Sequence, residues 1–210
     1  MVTRLIWSND RSDPPDLPVG CSRSALDAHG QGLGWRAIRA GKPAHDFRLT
    51  DQHGHRVMLS ELLRRGAVVL RFCRNENTAT CVREFNSLSA LYHDVERLGA
   101  ALVVIAVEPF DPRPLGKTAA SFSFPILPDK NGKVARSYGL TCQGSAPNGP
   151  DINDPYGDPT GPEMMSAPAT FVIDPTGLVV LAFVDAACRS FMDHGQIRMA
   201  LECLGRRKHS

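Results

Sequence analysis

A chain of 210 residues, 42% hydrophobic and 22% charged, has the mix of an ordinary globular protein, which excludes a disordered or fibrous architecture and favours one domain with an extension over two domains. A net charge of +2 offers no broad basic field, and Arg206-Arg207-Lys208 reads as a solvated C-terminal tail, so no nucleic-acid partner is expected. No apolar run is long enough to span a bilayer and residues 1–10 lack a signal peptide's apolar core, so no membrane partner is expected and the cytoplasm is the default location.

Residues 1–40 mix Pro14-Pro15, Pro18, Gly20 and Gly30 with scattered charges, which predicts an irregular N-terminal arm ahead of a domain over 41–205. From Ala44 the pattern sharpens. Asp46-Phe47-Arg48-Leu49 alternates like a strand, Asp51-Gln52-His53-Gly54 supplies turn chemistry, and Arg56-Val57-Met58-Leu59 resumes, predicting a hairpin. His53 and His55 together invite a metal reading, but an exposed turn explains them. Ser60 is the expected N-cap of a short helix from Glu61 to Arg65, closed by Gly66.

Ala67 to Cys73 and Ala101 to Val107 are β-branched apolar runs of strand length. Between them Phe85, Leu88, Leu91, Tyr92, Val95 and Leu98 recur at helical spacing, and Gly99 follows where a helix needs its terminal glycine. A strand, helix, strand crossover requires parallel strands and a right-handed connection. Further helices are expected within Pro112 to Ala120 and Gly132 to Tyr138, with a short strand near Pro125 to Leu127. Ala169 to Asp174, the turn through Gly177, and Leu178 to Val184 form a second hairpin, followed by a helix over residues 191–204. Parallel strands first, an antiparallel hairpin last and helices on both faces make an α/β, thioredoxin-like mixed sheet.

The segment from Thr141 to Pro168 holds six prolines and four glycines, which forbid regular structure over most of it. Its acidic stretch from Asp151 to Asp158 looks superficially like a calcium loop, yet Pro155 and Tyr156 stand where ligand and glycine are needed, so plain turn chemistry is preferred and no metal is expected.

Six cysteines (Cys21, Cys73, Cys81, Cys142, Cys188, Cys203) are dispersed through a chain large enough to fold without staples, so most should be reduced thiols. Cys81 differs from the others in its place. Asn77-Thr78-Ala79-Thr80 precedes the amphipathic helix, which puts Cys81 in or beside the first turn, where orphan N–H groups and the helix dipole favour thiolate over thiol. Arg74 and Arg83 are near enough in sequence to add positive charge. Cys73 ends a buried strand and reads as core; Glu84, three residues after Cys81, is near enough to approach the site from the helix surface, but a solvated or Arg-paired glutamate is the simpler reading. Cys21 and Cys203 have no chemical context.

Thr78-x-x-Cys81 after a core strand resembles the Thr-x-x-Cys motif of peroxiredoxins of the alkyl hydroperoxide reductase and thiol-specific antioxidant type. Gly41 to Gly54, Phe124-Pro125-Ile126-Leu127-Pro128-Asp129 and Ala167 to Asp174 are similar to further segments of that family, so the resemblance covers about residues 40 to 204. Within it the chain looks most like members with Cys-x-x-Cys, the first cysteine being Thr78 here. The resemblance implies a thiol peroxidase in which Cys81 attacks a hydroperoxide and the Thr78 hydroxyl holds it. It further implies a thiol reductant such as thioredoxin or glutathione, no cofactor, and room for a homodimer. The chain departs from the family where Arg74 replaces a proline and Pro168 an arginine. Pro168 resembles instead the thioredoxin proline that receives substrate backbone. Two alternatives stay open: a monothiol oxidoreductase acting on disulfides, favoured by Pro168, and a redox sensor without turnover, favoured by the two departures. A sulfenic acid at Cys81 needs a second thiol. Cys142, at the first bend of the long loop, is the expected resolving residue, with Cys188 or an external thiol as competitors.

Overall fold

The structure is a computed structural model that describes residues 37–73, 79–107, 122–143, 164–184 and 192–207. Most of the expected arm, the helix expected within 112–120, the acidic stretch of the long loop, and Cys21 and Cys188 lie outside those residues.

A small hairpin of β1 (Arg48–Thr50) and β2 (Arg56–Met58) opens the described fold, with Leu49 opposite Val57. Its turn is held by Asp51, whose carboxylate accepts the backbone N–H groups of His53 and His55, so both histidines belong to turn architecture. The short helix α1 (Leu59–Leu63) follows at once. Ser60 does not cap it. Its own N–H donates to Asp46 Oδ1 at 3.0 Å, so the helix start is satisfied by a carboxylate fourteen residues upstream.

Five strands form the main sheet in the order β5-β4-β3-β8-β9: β3 (Val68–Cys73), β4 (Ala101–Val107), β5 (Ile126–Asp129), β8 (Ala169–Ile173) and β9 (Val179–Val184). β3 runs parallel to β4, and β4 to β5, whereas β8 is antiparallel to both of its neighbours. That is the mixed thioredoxin-like sheet expected from the element order. α2 (Ala79–Arg97) makes the crossover from β3 to β4, and Gly99 beyond it has φ of 70°, the left-handed cap that glycine adopts without strain. Gly66 answers to a different need: a Cβ there would lie 2.2 Å from the Gly99 carbonyl oxygen.

α3 (Lys133–Ser137) follows a single 3₁₀ turn, and α4 (His194–Arg207) closes the described fold. α4 runs on through Arg206 and Arg207, which the sequence reading assigned to a solvated tail. The long loop has a neck, β6 (Thr141–Gln143) paired antiparallel with β7 (Met164–Ser166).

Because both sheet faces are covered, β3 is buried throughout and its alternate residues enter two cores. Val68, Leu70 and Phe72 join one with Phe47, Tyr138 and Phe171, beneath α1 and α3. Val69 and Cys73 join the other with Phe85, Leu88, Val95 and Ile197, beneath α2 and α4. The sheet edges are covered by chain. Gln52 bonds the Phe124 carbonyl and the Ile126 N–H beside β5, and Gly41 N and Lys42 O pair with Val179 of β9.

Candidate active site

α2 begins at Ala79, so Cys81 lies in its first turn, as the sequence predicts. Arg83 is in the same helix, two residues on. Arg74 and Thr78 lie outside the described residues. Pro168 is buried just before β8. The β3–β8 ladder ends with Phe72 opposite Ala169, and one further step brings Pro168 level with Cys73.

Under the start of α2 the sheet carries a buried polar group of four residues. Arg71, on β3, is only 3% exposed. Its guanidinium meets the Glu84 carboxylate through Nε and Nη2, each 2.6 Å from Oε1, and donates from Nη1 to Thr170 Oγ1 at 2.7 Å. The Cys73 thiol donates to the same Oε1 at 3.2 Å. Two periodicities bring these residues together: Arg71 and Cys73 alternate onto the α2 face of β3, and Thr170 stands opposite Arg71 on β8.

Burial works most strongly against charge on Arg71, but Glu84 and then Cys73 together outweigh it and raise the guanidinium above its ordinary range. The Cys73 thiol is pushed well above the ordinary thiol range, first by burial and then by the Glu84 carboxylate, with Arg71 opposing. Cys73 is therefore held as a protonated thiol with its proton aimed at a carboxylate. Glu84 is neither solvated nor on the surface: it is 6% exposed and Arg-paired.

Beside this group a cleft between α2 and α4 is lined by Arg71 and Glu84, with Ser87 and His194 also on its wall. Ser87 Oγ and His194 Nε2 lie 3.1 Å apart and join the two helices. His194 titrates below the ordinary histidine range, because burial outweighs the raising effect of Asp193, and Arg198 adds to the depression.

The structure does not place Cys142 at a free loop bend. Its backbone lies in β6, opposite Met165 of β7. Arg71, Thr170 and the Ser87–His194 pair were not singled out by sequence. The one available signal was Arg71, a lone charge in an otherwise apolar strand of six.

The chain is 34% identical over 103 residues to the peroxiredoxin-named protein bcp of Helicobacter pylori strain J99, an overlap covering 48% of this chain and 66% of that protein. Among solved structures, the peroxidoxin BcpB of Mycobacterium tuberculosis superposes with a TM-score of 0.59 at 28% identity, covering 78% of this chain and 96% of that one. A yeast mitochondrial 1-Cys peroxiredoxin shares the fold, with a TM-score of 0.60 at 19% identity over 82% of this chain and 78% of that one. The AhpC/TSA family model matches residues 40–182, well over half the chain, and the protein belongs to that family.

Proposed function

We propose that this protein is a thiol-dependent peroxidase in which Cys81 attacks a hydroperoxide. The observation that carries the reading is the position of Cys81 in the first turn of α2, directly after a central parallel strand. Orphan N–H groups and the helix dipole there favour the thiolate. The Cys81 thiolate attacks the terminal oxygen of the hydroperoxide: an S–O bond forms as the O–O bond breaks, the other oxygen leaves and takes up a proton as alcohol or water, and Cys81 becomes a sulfenic acid. Thr78 holds the peroxide, Arg74 and Arg83 favour the thiolate, and Pro168 borders the substrate side. A thiol reductant such as thioredoxin or glutathione returns the enzyme to its starting state. The setting is cytoplasmic, where such thiols stay reduced, and a homodimer is compatible with the family.

Membership of the AhpC/TSA family and likeness to peroxiredoxin-named relatives support this reading. Its test is peroxide consumption in the presence of a dithiol: Cys81→Ser should abolish it and Cys203→Ser should retain it. Full activity in Cys81→Ser would overturn the assignment. The alkylation rate of Cys81 against pH should inflect below the ~8.5 of a free thiol.

A second reading, a monothiol oxidoreductase acting on protein disulfides, is favoured by Pro168 beside the end of β3. Mixed-disulfide trapping without peroxide consumption would select it.

A further inference from the structure

We infer that Cys73 is the resolving thiol and Glu84 the base that activates it, an assignment that rests on the peroxidase reading of Cys81. Three residues have the arrangement of an activated nucleophile. The Cys73 thiol donates to Glu84 Oε1 at 3.2 Å, and Arg71 fixes that carboxylate through two contacts of 2.6 Å. A nucleophile, a base within hydrogen-bond reach and a third group orienting the base are the elements of nucleophilic activation. Stability does not account for the set, since apolar side chains of similar volume commonly replace a buried ion pair at no loss.

Position supplies the second argument. Cys81 precedes Glu84 by three residues in α2, less than one turn of helix. The carboxylate that touches Cys73 therefore belongs to the same short stretch of helix as the attacking cysteine. Cys73 is also the last residue of β3. It pairs with Ala106 on one side, while on the other the ladder stops at Phe72, and Pro168 has no N–H with which to extend it. The end of the strand is thus held on one side, which lets it approach the helix start to the ~7 Å Cα separation a disulfide requires.

The step balances. The Cys73 sulfur attacks the sulfenic sulfur of Cys81, an S–S bond forms, and the S–O bond breaks. Glu84 takes the thiol proton and passes it to the departing hydroxide, releasing water. Cys73 is oxidised and the sulfenic sulfur of Cys81 is reduced, both to the disulfide level, and a dithiol reductant then restores the two thiols.

The test is peptide mapping of the full chain after one equivalent of hydrogen peroxide, with remaining thiols alkylated. A Cys73–Cys81 cross-link is expected. Cys73→Ser keeps a donor on Glu84 and should lose the cross-link, leaving a sulfenic acid on Cys81 that a cyclic dione captures. Because Glu84→Gln alone strands the Arg71 charge, the base is tested in Arg71→Gln/Glu84→Gln, where cross-linking should slow about a hundredfold. Cross-linking at the wild-type rate in that variant overturns the role of Glu84. A link from Cys81 to Cys142 or Cys188, or a persistent sulfenic acid in the unmutated chain, overturns Cys73 while leaving the peroxidase standing. If Cys81 does not oxidise at all, the peroxidase reading falls and this inference falls with it.

Discussion

On the α1/α3 side of the sheet, Val68, Leu70, Phe72 and Phe171 meet an apolar core, and on the α2/α4 side a second apolar core encloses a polar group in which Arg71 meets Glu84 and Thr170 and Cys73 meets Glu84. The same strand therefore has one apolar face and one apolar face with a polar group set into it. Each side also buries a carboxylate, and the two are used differently. Asp129, beside α3, spends both oxygens on the Val134 and Ala135 N–H groups at 3.0 and 2.8 Å, capping a helix. Glu84 gives Oε1 to a guanidinium and a thiol. A carboxylate spent on backbone amides stabilises. One that faces a thiol within a turn of Cys81, the proposed nucleophile, is placed for chemistry.

The largest expected effect comes from splitting the ion pair set into the α2/α4 face. Glu84→Ala leaves Arg71 buried without its carboxylate and should cost about 3–5 kcal/mol, measured by denaturant unfolding. Arg71→Met/Glu84→Leu should recover most of that loss, because two apolar groups avoid the desolvation penalty altogether. If the double variant is as unstable as the single one, the pair is structural cement and the contrast between the faces is wrong.

On the α1/α3 face Leu70→Ala should cost about 3 kcal/mol, the usual consequence of an unfilled core cavity. Leu70 points away from α2, so Cys81 oxidation per folded molecule should match the wild type. A changed rate would mean that the two faces are coupled through β3. Asp129→Ala should cost less, about 1–2 kcal/mol, through loss of the α3 cap. Its oxidation kinetics should also be unaltered.

Most of the fold was legible because it is written in local periods. Apolar runs gave β3 and β4, helical spacing gave α2, and the Asp174 to Gly177 turn marked the last hairpin. Ser60 failed as a cap because a carboxylate from another segment, Asp46, does that work, and no local pattern reports it. The place of Cys81 in the first turn of α2 was legible for the opposite reason, since a helix start is a local feature. The polar group beneath it was not. Arg71 reaches Glu84 across 13 residues and Thr170 across 99, so the sequence shows an odd arginine in a strand and a glutamate that is solvated or Arg-paired, without saying which arginine. Cys73 was rightly read as buried, but its hydrogen bond depends on which way α2 turns Glu84, which only packing decides.

The smallest expected effect concerns pH and is confined to the α2/α4 side. His194 is half-buried in α4, bonded to Ser87 of α2, and faces Asp193, Asp94, Arg198 and Arg71. Burial leads the forces that depress its titration below the unfolded value of about 6.5. In the unfolded chain the imidazole takes up its proton as pH falls through 6.5, whereas the folded protein resists until lower pH. The stability contributed by neutral His194 is therefore complete above pH ~6.5 and lost as pH falls through the folded value. Unfolding free energy should decline over that acidic window, and His194→Gln, which keeps a partner for Ser87 without titrating, should flatten this part of the curve. Amide exchange should rise first in α4 and the facing residues of α2, with α3 still protected. Equal loosening of α3 would place the acid-sensitive group elsewhere and remove the assignment to His194.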